Sequence, residues 1–100
     1  MAVIEFDPEG RILRANDNFL RAMGYTGQNL VGQHHRLFCP PDFANSPEYA
    51  DFWAALRRGE FFTGQFARIN RQGQEVWLEA SYNPVFGPDG RIQSVVKFAS

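Results

Sequence analysis

One hundred residues are enough for one domain and too few for two. Hydrophobic residues make up 44%, including ten Phe, three Tyr and two Trp, which is ample material for a packed core and argues against disorder. A net charge of −1, with basic residues scattered apart from Arg57-Arg58, leaves no electrostatic footprint for nucleic acid or an anionic membrane, and no apolar run approaches the roughly 20 residues that span a bilayer.

The chain opens on a strand pattern, Ala2–Phe6. Asp7-Pro8-Glu9-Gly10 then supplies turn chemistry before a second run, Arg11–Ala15. Proline presets φ early in a turn and glycine takes the positive φ near its end, so a hairpin is expected. Asn16 is a good N-cap for a helix carrying Asp17 in its first turn, Phe19, Leu20 and Met23 on one side, and Gly24 as its stop. Thr26 is placed to cap a second short turn with Leu30 and Val31, closed by Gly32. Cys39-Pro40-Pro41 reads as an extended loop with a half-buried thiol.

The clearest helix follows. Ser46 caps it, Pro47 stands at its first position, and Glu48 suits the positive end of the dipole. Tyr49, Phe52, Trp53 and Leu56 fall at i, i+3, i+4 and i+7, which makes one apolar stripe before Arg57-Arg58-Gly59 ends it. Three longer strands close the chain. Asn70–Gly73 separates Phe61–Ile69 from Gln74–Phe86, and Gly87-Pro88-Asp89-Gly90 separates the latter from the last strand, Arg91–Ser100. Within Gln74–Phe86, Val76, Leu78, Ala80 and Tyr82 alternate with Trp77, Glu79, Ser81 and Asn83. Strands flanking a helical middle predict an α+β fold, an antiparallel sheet with helices on one face. The one cysteine rules out an internal disulfide and fits a reducing, cytoplasmic compartment.

Several of these residues resemble a known family. Asn16-x-x-Phe19, Gly24-Tyr25, Leu30-x-Gly32, the strand entry at Gly64, and Gln72-Gly73-x-x-x-Trp77 through Asn83-Pro84-Val85 together resemble the signature of PAS domains, over nearly the whole chain. Gly32–Cys39, with Tyr82-Asn83-Pro84 and Val96-Lys97-Phe98-Ala99, is similar to the PAS domains of methyl-accepting chemotaxis transducers of the aerotaxis and biofilm-dispersal type. The resemblance implies a five-stranded sheet roofed by short helices. Residues 1–100 would then be a single sensor domain cut from a larger signalling protein. It also implies a ligand pocket on the inner sheet face, lined by Phe66, Leu78, Ala80, Tyr82, Lys97 and Ala99. The outer face would carry Trp77, Val96 and Phe98 for an adjoining signalling domain or a PAS–PAS homodimer.

Within that frame the cofactor is open. In the light-sensing branch a Gly-x-Asn-Cys-Arg-Phe-type motif puts a reactive cysteine beside flavin. Here Gly32–Leu37 matches the frame with His35 at the cysteine position, and Leu78 and Ala99 replace polar flavin contacts. Haem is the sharper candidate, because one neutral imidazole suffices as an axial ligand and similar transducers take theirs from this region. His35, with His34 as second choice, would hold the iron, and no other metal site is expected. The competing account has one histidine capping the helix start and the other solvated. Lys97, the one lysine, would hold an anionic ligand, pair with Glu60, Glu75 or Glu79, or extend its head to solvent. Arg36 and Arg68 could grip a carboxylate bidentately or lie in water. The aromatic set Phe61, Phe62, Phe66, Tyr82 and Phe86 reads as core. Ser46, Ser81 and Ser94 lack a Gly-x-Ser-x-Gly context, the histidines lack zinc-ligand spacing, and no phosphate loop is present, so no enzymatic activity is expected.

Overall fold

The computed structural model describes residues 1–100. Strands β1 (Ala2–Phe6), β2 (Ile12–Ala15), β3 (Phe62–Ile69), β4 (Glu75–Phe86) and β5 (Ile92–Ala99) form one antiparallel sheet in the order β2-β1-β5-β4-β3. The expected architecture is present. The last strand lies at the centre of the sheet, so its side chains meet both halves of the chain.

The three turns close as their residues dictate. Asp7 Oδ1 accepts hydrogen bonds from the backbone N–H groups of Glu9 and Arg11, and Asp89 Oδ1 accepts from Arg91. Asn70 Oδ1 accepts from the Gln74 N–H. Gly10, Gly73 and Gly90 take the positive φ that each turn demands.

Helix α1 (Asp17–Met23) is capped by Asn16, whose Oδ1 accepts from the Phe19 N–H at 3.0 Å. The same oxygen accepts from Val3 in β1, and the Asn16 Nδ2 donates to the Met1 carbonyl. Two short 3-10 turns follow, Gly27–Asn29 and His35–Phe38, then α2 (Pro41–Ala44) and α3 (Pro47–Arg57). Tyr49, Trp53 and Leu56 of α3 are buried and Phe52 half-buried, so the predicted stripe is the packed one.

Details of the middle differ from expectation. Thr26 makes no side-chain capping bond, and Val31 is exposed while Leu30 is buried. Pro41 starts a helix, since a proline at the first turn loses no bond there. Cys39 is buried. Phe61 and Phe86, read as core from sequence, are 67% and 57% exposed. Phe61 precedes the paired part of β3, and Phe86 lies past a register shift at the end of β4.

The core fills the space between the inner sheet face and the helices. Ile4, Phe6, Ile12, Phe19, Met23, Leu30, Phe38, Leu56, Tyr82 and Val95 are each at most 1% exposed. Burial of side chains of this size contributes about 1.5–3 kcal/mol apiece against an extended chain. Three polar residues share that interior: His35, Arg68 and Lys97. They define the site.

Candidate functional site

His34 and His35 stand at the start of a 3-10 turn and differ in burial, His34 half-buried and His35 inside the core. The His35 N–H donates to the Gly10 carbonyl at 2.8 Å, and residues 11 and 34 bridge, which stitches the turn to the first hairpin. Glycine suits this crossing, because residue 10 takes a φ of +88° and a Cβ there would sit 2.7 Å from His34 Nε2. Half-buried His34 caps its own turn, its Nδ1 accepting from the Arg36 N–H at 3.0 Å. His35 is fully buried.

Two tyrosines clamp the His35 ring. Nδ1 lies 2.7 Å from the Tyr49 hydroxyl on α3, and Nε2 lies 2.9 Å from the Tyr82 hydroxyl on β4. Arg68 on β3 donates to that same Tyr82 oxygen from Nε at 3.3 Å and Nη2 at 2.9 Å. With both lone pairs taken, the Tyr82 hydroxyl has its proton free for His35 Nε2. Counting donors therefore assigns His35 as the neutral tautomer, with Nδ1–H donating to Tyr49. Burial holds the His35 pKa well below its ordinary value, helped by the nearby charges of Lys97 and Arg68. Burial likewise raises the Tyr82 phenol to about 12 against the opposing pull of Arg68.

Arg68 and Lys97 correct the readings that put them in water. Their exposures are 3% and 1%. Register explains both. Phe62, Gly64, Phe66 and Arg68 face inward opposite Tyr82, Ala80, Leu78 and Val76, while Lys97 sits between Ile4 and Tyr82 on the inner face of β5. The Arg68 Cζ lies 5.1 Å from the Phe66 ring and 5.9 Å from that of Tyr82, and Lys97 Nζ lies 4.8 Å above Tyr82. Cation–π attraction offsets part of the desolvation. Lys97 Nζ nevertheless has no hydrogen-bond partner. Burial first, then Arg68, brings its pKa down to about 7. Glu60 pairs with Arg58 at the surface, and neither Glu75 nor Glu79 pairs with Lys97.

Cys39 completes the cluster, its Sγ 3.6 Å from His35 Nδ1, with burial raising the thiol pKa. Arg68, Tyr49 and Cys39 are the members that sequence reasoning did not assemble. Strand parity carried a signal for Arg68, since an inward Phe66 puts residue 68 on the same side.

The other expected pocket residues face inward as well. Ala80, Tyr82 and Ala99 are buried, and Phe66 and Leu78 half-buried. Haem does not fit His35 in this packing. Both ring nitrogens are bonded, and the rings of Phe6, Trp53 and Phe38 stand 5.2, 5.5 and 6.1 Å away. Leu78 and Ala99, inward-facing and apolar, offer flavin no side-chain hydrogen bond. On the outer face Trp77 is 65% exposed, Phe98 38% and Val96 half-buried. No helix is long and apolar enough to cross a membrane.

Comparison with known proteins agrees with this architecture. The family model described as the PAS fold matches residues 12–99. The chain is 58% identical over its full 100 residues to the biofilm dispersion protein BdlA of Pseudomonas aeruginosa. It is 34% identical over 79 residues, 79% of its length, to the aerotaxis receptor of Escherichia coli. It spans 24% and 15% of those two proteins. Among solved structures, the PAS domain of a Colwellia psychrerythraea protein superposes with a TM-score of 0.84 at 19% identity, covering 99% of this chain and 83% of that one. A sheet of order β2-β1-β5-β4-β3 roofed by short helices, matched from residue 12 to residue 99, makes the chain a member of the PAS fold family, similar to PAS domains of aerotaxis and biofilm-dispersion proteins.

Proposed function

We propose that this domain is the signal-input unit of a chemotaxis-type transducer in the cytoplasm. A small ligand acts on its inner sheet face, and the change passes along β5 and the outer face to an adjoining domain. One observation carries the reading. The buried cluster joins the helical roof, through His35 and Tyr49, to three strands, through Arg68, Tyr82 and Lys97, and it leaves a cation unsatisfied on the central strand. A ligand biases output only by its unequal affinity for two conformations, and an unsatisfied buried group gives such an inequality.

The test is native mass spectrometry and an absorption spectrum of freshly purified protein, followed by hydrogen exchange before and after ligand removal. The expected result is a retained small molecule, no Soret band, and faster exchange in β5 once the molecule is gone. A bare polypeptide whose β5 exchange ignores a metabolite extract sinks the proposal.

A second reading rests on the outer face. Trp77, Val96 and Phe98 present apolar surface that suits a second PAS domain, and in this reading the domain is a cofactor-free dimerisation module. It requires an oligomer that dissociates on Trp77→Ala.

A further inference from the structure

We infer that the ligand is a small organic carboxylate, gripped by Arg68 from a groove over the edge of β3 with Lys97 as the second cation. The inference rests on the ligand-binding reading and narrows it to one chemical class.

Charge balance is the first ground. The interior holds two basic side chains, and no Asp or Glu is among its buried residues. The side-chain ion pairs, Arg14–Glu5 and Arg58–Glu60, lie toward the surface. Buried cations are ordinarily paired, and an unpaired one is retained where something else meets it.

Unused donors are the second. Of the five N–H groups of Arg68, Nε and one on Nη2 go to Tyr82, and one on Nη1 goes to the Ala67 carbonyl at 2.8 Å. Two remain, the number that a carboxylate accepts bidentately. Lys97 has used none of its three.

Access is the third. A groove of about 260 Å³ lies at β3, the edge strand of the sheet, and Pro40, Phe43, Phe66, Trp77 and Arg68 are part of its lining. The guanidinium Cζ stands 5.9 Å from the Phe43 ring and 5.1 Å from the Phe66 ring. Aromatic walls around a cation select a short apolar body with an acid head. Both cations lie against the ring of Tyr82, so an acid on Arg68 falls within the field of Lys97.

Calorimetric and thermal-shift titrations of the purified chain test this with acetate, pyruvate, succinate and inorganic phosphate, beside the neutral probes pyruvamide and succinamide. At least one carboxylate should bind saturably and raise Tm while its amide does neither. Arg68→Gln should weaken that binding at least tenfold. Lys97→Met should do the same while raising the Tm of the free protein, since it removes the unpaired charge but keeps the stem; this variant covers the case in which Arg68→Gln fails to fold. A carboxylate that binds Lys97→Met as tightly as wild type overturns the inference, as does an amide that matches its acid, or phosphate binding with the carboxylates silent. If the anions give nothing while native mass spectrometry finds a neutral molecule retained, the carboxylate assignment falls and the sensing role stands. Silence in both measurements ends both.

Discussion

Lys97 shows how one side chain can set the pH response of a small domain. Its folded pKa of about 7 lies below the ordinary 10.5, so between these values the unfolded chain binds more protons than the folded one. Stability contributed by this group therefore rises with pH across that window, and below pH 7 the penalty for a buried charge is felt in full. His35 acts in the same direction in the acid range, because burial keeps it neutral while the unfolded chain takes up a proton below pH 6.5. Cys39 opposes above pH 9, where the unfolded thiol ionises and the buried one resists. Tyr82, raised to about 12, adds to that opposition above pH 10. The charge that bears on Lys97 from β3 is Arg68. Urea midpoints should accordingly climb from pH 6 to a maximum near pH 9. Lys97→Met should flatten the part of the climb between pH 7 and pH 9. A wild-type midpoint that falls across pH 7 to 9 contradicts the lowered pKa of Lys97.

Elements differ in how plainly the sequence announced them, and the difference is physical. The three hairpins and α3 are specified locally, by turn residues, a capping serine, a proline at the first turn and one apolar stripe. Local chemistry also foretold Asn16, although not its second task. The same side chain that caps α1 accepts from Val3 and donates to Met1, so it ties the helix start to β1. Asn16→Ala should cost about 1–2 kcal/mol in chemical denaturation, at the upper end for a cap because it also unties the strand. Hydrogen exchange should then quicken in α1 and at the start of β1 together; protection lost from α1 alone would refute the tie. The region from residue 26 to residue 44 was less legible. Its 3-10 turns are held by long-range backbone bonds such as those from His35 to Gly10 and from Ile12 to Gln33, which no local pattern encodes. The burial of Arg68 escaped for a related reason. An arginine near a strand end suggests solvent, and only pairing with β4 fixes which way it points.

For the molecule as a whole, the question is how roof and sheet are joined, since the proposed relay needs the two layers coupled. Apolar packing between them is non-directional and tolerates small slips. The tyrosine clamp does not. His35 hangs from the roof and bonds Tyr49 on α3 and Tyr82 on β4, so a displacement of either layer strains a bond in the other. If His35 is the shared joint, the two hydroxyls must be energetically dependent on each other. Tyr49→Phe alone leaves the His35 Nδ1–H only the weak Cys39 sulfur, 3.6 Å away, as an acceptor. Tyr82→Phe alone orphans His35 Nε2 and two Arg68 donors, and should be the more damaging of the two, at about 3 kcal/mol. Once one hydroxyl is gone the imidazole is free to turn and repair its remaining bond, so the second loss should hurt less in that background. A double-mutant cycle in urea should therefore give a coupling energy of about 1 kcal/mol, with the double variant more stable than the sum of the singles implies. Additivity within about 0.3 kcal/mol would mean that the two hydroxyls act independently, and the cluster would then be two separate hydrogen bonds with no mechanical link between helices and sheet.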